Sequence, residues 1–208
     1  TDASTNLPSK NLITERFPWI KWKAGPKKGP AANRNNGARN ALGEWLVFID
    51  DDCQPERGLL LKYVCAISKF PNEQVFEGSI LPDDWDLLKE DMAECPVNTE
   101  GNCFWSANIC IKKSLFSSIN GFDEGYLIAA QEDQQLKLDI ERYTGKKIIF
   151  LKECVVVHPV RFTKLVQQLK KIPKQSKNFS LYAVKNKDLL KYRSTAAFSW
   201  QQYSFHFR

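Results

Sequence analysis

No apolar run in the sequence comes near the roughly 20 residues that a membrane-spanning helix needs; the longest, at 45–49 and 148–157, are bounded or interrupted by charges. A chain that threads a bilayer is therefore not expected. Nor does a basic and then apolar leader follow Thr1, so no signal peptide is expected, and a start at Thr rather than Met reads as a piece of a longer protein. The six cysteines (Cys53, Cys65, Cys95, Cys103, Cys110 and Cys154) include no closely spaced pair, which removes the zinc-ribbon class. A disulfide framework is not expected at this length and cysteine density, and the simplest reading is a reducing compartment in which Cys serves as a small apolar side chain. Internal repeats and low-complexity tracts are absent. With 43% hydrophobic and 26% charged residues, what remains is a soluble globular composition of one domain or two small ones.

What is present is unevenly spread. Residues 1–158 carry 19 Lys and Arg against 23 Asp and Glu, a balance of −4, whereas 159–208 carry 11 against Asp188 alone, a balance of +10. The reading is an acidic body at 1–160 and a basic, aromatic-dotted tail at 161–208. The tail is expected to form one or two amphipathic helices, with Phe162, Leu165, Val166 and Leu169 on one stripe. Such a tail suits either a solvated face or contact with anionic headgroups, which points to a cytoplasmic protein peripheral to the inner face of the plasma membrane; nucleic acid is not the expected partner.

Within the body, 1–30 is rich in Pro and Gly and reads as loop, with a short apolar stretch at 17–22 that fits a strand. A helix follows at 31–42, closed by Gly43, and then an apolar run at 45–49 of the kind buried on both faces of a sheet. That run enters Asp50-Asp51-Asp52. Pro55 suits the first turn of a helix with Leu59, Leu60, Tyr63, Val64 and Ile67 on one face; strands are expected at 75–81, 104–111, 147–151 and 154–157, and helices at 114–119 and 131–143. The alternation predicts an α/β fold with a mostly parallel central sheet flanked by helices, whose ligands bind beyond the carboxyl ends of the strands.

The acidic triplet stands at that edge. If the backbone stays extended, Asp50 and Asp52 point one way and Asp51 the other. Hard oxygen ligands on one side suit Mg²⁺ or Mn²⁺, with substrate phosphates completing the shell; the competing reading is that acids before Pro55 cap the next helix. Three adjacent carboxylates repel one another without a cation, which favours the metal. Glu132-Asp133 at a helix start also suits the helix dipole, and His158 at a strand end is as readily structural as metal-binding. Singly, neither says much.

Their order along the chain resembles glycosyltransferase family 2, the inverting sugar transferases of the glycosyltransferase-A fold. Asp2-Ala-Ser-Thr5 resembles the end of the segment whose aspartate reads uracil, 32–43 the helix whose arginine lies beside the nucleotide, and Phe48-Ile-Asp50-Asp-Asp52 the Asp-x-Asp metal motif. Ser106-Ala-Asn108 resembles the acceptor-side strand, Gly121-Phe-Asp-Glu124 the family's turn of that sequence, Gln131-Glu-Asp133 the pair bearing the catalytic base, and Val157-His158-Pro-Val-Arg161 the closing histidine segment. The resemblance runs from about Asp2 to Arg161. It implies Asp133 as base; Asp2, Arg34, Asp50 and Asp51 around the donor, with Arg34 or Arg39 near its phosphates; Trp105, Asn108 and Glu132 toward the acceptor; and Asp52 with His158 on Mn²⁺ or Mg²⁺.

The partners so implied are a nucleotide-sugar donor, UDP-sugar favoured because of Asp2, and a saccharide or lipid-linked acceptor, as in cell-surface polysaccharide or glycoconjugate synthesis. The Gln-x-x-Arg-Trp motif of processive synthases is not reproduced by Ser199-Trp-Gln-Gln-Tyr203, so single additions are expected. The strand, helix and strand that precede the uracil aspartate in this family are missing before Thr1, so the domain is expected to be incomplete. That keeps a second expectation open: a non-catalytic nucleotide-sugar-binding or scaffold module of the same fold. A nucleotidyltransferase is a weaker rival.

Overall fold

Alternation of side chains along two strands fixes the layering. The structure, a computed structural model, describes residues 8–190. Helices α1 (Pro8–Arg16) and α2 (Pro30–Asn40) precede strand β1 (Trp45–Ile49). Leu46 and Phe48 of β1 pack into one apolar cluster, while Trp45, Val47 and Ile49 pack into a second on the other face of the sheet. Next come β2 (Gln54–Pro55), α3 (Leu59–Lys69), β3 (Val75–Pro82), one 3-10 turn at Leu87–Lys89 and β4 (Ala93–Glu94). Strand β5 (Asn108–Lys112) divides like β1, with Ile109 and Ile111 in the first cluster and Cys110 in the second. The chain continues through α4 (Lys113–Ser118), α5 (Glu132–Thr144), β6 (Ile149–His158), β7 (Arg161–Phe162), α6 (Leu165–Lys185) and α7 (Lys187–Leu190). Helices α2, α4 and α5 cover one face through Ala31, Ala38, Leu115, Phe116, Leu136 and Ile140, and α3 covers the other through Leu59, Tyr63 and Ala66.

The five-stranded sheet has the order β1-β5-β3-β6-β2, and β4 pairs separately with β7. The expectation of a mostly parallel sheet holds for direction, not for pairing. Strands β1, β3 and β6 run the same way, but β5 lies antiparallel between β1 and β3, leaving β3–β6 as the parallel hydrogen-bonded pair. This arrangement decides where the chemistry sits. The carboxyl ends of β1 and β6 share an edge with the start of β5, since Ile49 pairs with Asn108 and Pro82 of β3 with His158. Segments 50–52, 104–107 and 158–161 therefore meet at one rim.

Several local expectations give way. Residues 8–16 are helical rather than loop, and 17–22 form turns, with Ile20 N–H donating to the Phe17 carbonyl, rather than a strand. Pro55 does not open a helix; it lies in β2 at the sheet edge, where a missing N–H is tolerated. On α3 the buried stripe is Leu59, Tyr63 and Ala66, while Leu60 and Val64 are exposed. The strands expected at 147–151 and 154–157 are one strand, β6, whose register with β3 shifts between Gly78 and Ser79.

Candidate active site

After β1 the backbone does not stay extended: Cys53 N–H donates to the Asp50 carbonyl at 3.1 Å, turning the chain at once. Asp50 and Asp52 consequently face different partners, and Asp51 is exposed on the outside of the turn. Asp52 meets the end of β6. Its Oδ2 lies 3.4 Å from His158 Nε2 and also contacts the Arg161 guanidinium.

His158 is buried, and its Nδ1 lies 2.8 Å from the Pro159 carbonyl oxygen. A carbonyl can only accept, so Nδ1 carries a proton and Nε2 is the ring nitrogen that faces Asp52. The Arg161 guanidinium supplies one positive charge at Asp52 Oδ2, and a bound ion would meet Asp52 and His158 beside it. Cys53 joins the same cluster, with the three ligand atoms within 4.8 Å of one another. Burial pushes its thiol up to about 11, however, so at neutral pH it is a neutral sulfur and a poor ligand for a hard ion. The oxygen and imidazole donors fit Mn²⁺ or Mg²⁺.

The second half of the rim is organised around Arg34 of α2. Its guanidinium donates to Asp50 Oδ1 at 2.9 Å and to Glu132 Oε1 at 3.1 Å, and lies over the Phe122 ring at 5.6 Å from its centroid. Burial works against this charge, but Asp133, Asp50 and Glu132 outweigh it and hold the group above its usual range. Asn35, next along α2, donates to the Phe122 carbonyl and accepts from the Phe122 N–H. The adjoining Gly121 has φ +68°, and a Cβ there would lie 2.6 Å from Asn35 Oδ1. The Gly121–Glu124 turn is thus a support that sets Phe122 beneath Arg34.

Asp133 is partly buried at the start of α5. The Ser106 N–H donates to its Oδ2 at 3.1 Å, while its Oδ1 is buried without a hydrogen-bond partner. Burial raises its pKa, against the pull of Arg34 and the Ser106 amide. Glu132 is pushed up to about 7 by burial and by the Asp133 carboxylate, with Arg34 opposing. A carboxylate with one oxygen held and the other free is a proton acceptor fixed in orientation.

Of the expected donor and acceptor residues, Asp2 lies outside the described residues, and Arg34 is committed to two carboxylates rather than open to phosphates. Arg39 is exposed and 3.6 Å from Glu124. Trp105 is partly buried against the second core cluster. Glu132 accepts from Arg34 and from the Ala130 N–H. Asn108 is fully buried, accepts from the Tyr63 hydroxyl and donates to the Ser79 and Cys154 carbonyls, so it ties β5 to α3, β3 and β6.

Sequence reasoning missed Glu77. This buried β3 carboxylate accepts from Asn98 Nδ2, the Asn102 N–H and the Phe104 N–H, and so pins the loop that delivers Ser106 to Asp133. A lone acid inside the apolar run 75–81 was its only signal.

The α/β sheet and its flanking helices have the glycosyltransferase-A fold. Solved structures carry the same fold at 16–20% identity. The S. aureus TarS fragment 1–349 superposes with a TM-score of 0.55 at 19% identity, over 76% of this chain and 49% of that one. GalNAc-T7, solved with UDP, GalNAc and Mn²⁺, gives 0.52 at 16%, over 78% and 37%. The mannosyltransferase PcManGT of Pyrobaculum calidifontis, in complex with GDP-Man and Mn²⁺, gives 0.51 at 20%, over 74% and 44%. The chain thus spans half or less of the length of these proteins. Residues 7–89 match the family described as Glycosyl transferase family 2, a stretch that contains Arg34 and Asp50–Asp52 and ends before Asp133 and His158. No curated protein matches the sequence.

Proposed function

We propose that the chain is the catalytic part of a metal-dependent, inverting glycosyltransferase that adds one sugar at a time. The donor is a nucleotide-diphosphate sugar, UDP-sugar favoured, and the acceptor a hydroxyl of a saccharide or lipid-linked molecule in polysaccharide or glycoconjugate synthesis, on the cytoplasmic side of a membrane. The observation that carries this reading is the pairing of Asp52 with a His158 whose Nδ1 is engaged by Pro159. Nucleotides or nucleotide sugars with Mn²⁺ in GalNAc-T7 and PcManGT support it.

Asp52 and His158 would hold Mn²⁺ or Mg²⁺, and Asp50 with Arg34 would border the donor. When bound, the ion supplies Lewis-acid stabilisation of the departing diphosphate. Asp133 Oδ1 takes the acceptor hydroxyl's proton as that oxygen bonds to the anomeric carbon. The bond from this carbon to the diphosphate oxygen breaks on the opposite face, releasing nucleoside diphosphate and inverting the configuration. The raised pKa of Asp133 strengthens it as a proton acceptor.

Calorimetry of UDP with the whole protein, with and without Mn²⁺, tests the site. The expected result is binding at least about tenfold tighter with Mn²⁺, a gain of about 1.4 kcal/mol that Asp52→Ala and His158→Ala abolish. Equal wild-type affinity in the two conditions removes the metal from the account.

A further inference from the structure

Helix α6 is amphipathic in the inverted sense. At about 100° per residue, Leu165, Val166, Leu169 and Ile172 fall within an arc of about 120°, and Asn178 lies on the opposite side. Asn178 is the residue that faces the body: it is buried and donates to the carbonyls of Ile128 and Ala130. Gln168 on the same side donates to Glu94, and Lys171 pairs with Glu94. The polar face therefore docks and the apolar face looks outward, with Leu165, Val166, Leu169 and Ile172 between 45% and 60% exposed. Phe162 of β7, 50% exposed, extends the patch toward the sheet. A core helix shows the reverse.

The charges around this face select its occupant. Lys170 and Lys177 lie within about 40° of one border of the apolar arc and Lys174 about 80° beyond it, with Lys164 just before the helix, and the sequence has no acid from 159 to 187. The remaining stretch, 189–208, carries Lys191, Arg193 and Arg208 and no acid, so neither it nor a second basic α6 complements the border. Among the described residues no helix is long and apolar enough to cross a membrane, whereas an apolar stripe edged by lysines suits the plane of the headgroups. We propose that α6 lies on an anionic lipid surface, its apolar face inserted at the boundary between headgroups and acyl chains and its lysines on the lipid phosphates. The assignment is independent of the glycosyltransferase reading.

Co-sedimentation of the whole protein with phosphatidylcholine vesicles, with and without about a third phosphatidylglycerol, tests it. Tight binding to the anionic vesicles is expected, at least about tenfold weaker on neutral ones. Each lysine near an anionic surface is worth about fivefold, so Lys170→Gln with Lys174→Gln and Lys177→Gln weakens binding by about a hundredfold. Leu165→Gln with Leu169→Gln, both exposed, leaves circular dichroism unchanged and reduces sedimentation at least tenfold. Failure to bind anionic vesicles overturns the proposal, as does undiminished binding by the leucine variant. A wild-type dimer in solution that the leucine variant reduces to monomer also overturns it, because the face is then covered by a second copy.

Discussion

Replacing Arg34 with Met, close to it in length and apolar, removes the cation shared by Asp50 and Glu132 and leaves the Glu132 side chain, 3% exposed, without its partner. Deleting one member of a buried ion pair costs about 3–5 kcal/mol when the survivor must stay charged. Glu132 has an escape: it can take up a proton. For a carboxyl with an ordinary pKa of 4.5, that uptake costs about 5 kcal/mol at pH 8 but under about 1 kcal/mol at pH 5.

In the native protein the carboxyl already stands at about 7, which corresponds to about 3 kcal/mol of stability lost by pH 8. The further loss at Glu132 is thus capped at about 1–2 kcal/mol, and Asp133, released from the same cation, is pushed in the same direction. The sign follows from linkage. A carboxyl raised in the folded state gives stability that is full below the unfolded value of 4.5 and declines as pH rises through the folded value. Urea unfolding of Arg34→Met should therefore show a loss at pH 8 that exceeds the loss at pH 5 by about 1–2 kcal/mol or more. An equal loss at both, or a larger one at pH 5, would show that Glu132 does not take up a proton when Arg34 is removed.

Asn108→Leu is expected to lower stability by about 3 kcal/mol or more, because the Tyr63 hydroxyl and two strand carbonyls lose their partner; in a whole protein still folded at low temperature, KM for acceptor should be unchanged, and a selective rise in KM would return Asn108 to the acceptor site. Gly121→Ala, at φ +68° with its Cβ against Asn35 and Phe116, should cost about 2–3 kcal/mol by thermal denaturation. An unchanged melting temperature would show that the turn relaxes freely.

Legibility of the sequence varied with how local the cause was. The 45–49 run announced a strand because both faces of β1 are covered, and Asp52 and His158 were paired from motif order alone. Residues 59–67 misled because α3 carries two apolar stripes, and spacing cannot say which one the sheet takes. Lys152 and Glu153 resembled a break between strands, but they are exposed residues inside β6. Asn108 stood in an acceptor-like motif, and its bonds to Tyr63 of α3 and to the carbonyls of β3 and β6 come from segments distant in sequence. The split facing of Asp50 and Asp52 depends on a turn that three consecutive aspartates do not encode. Inverted amphipathicity is likewise invisible locally, since a stripe at 165–172 looks the same whether it points inward or outward.

The most direct test of the central claim is donor turnover by the whole protein with Mn²⁺ and a saccharide acceptor, comparing wild type with Asp133→Asn. The variant is expected to bind UDP and Mn²⁺ as wild type does and to lose turnover by at least about a hundredfold, the general-base contribution. Wild-type turnover by Asp133→Asn would contradict that claim.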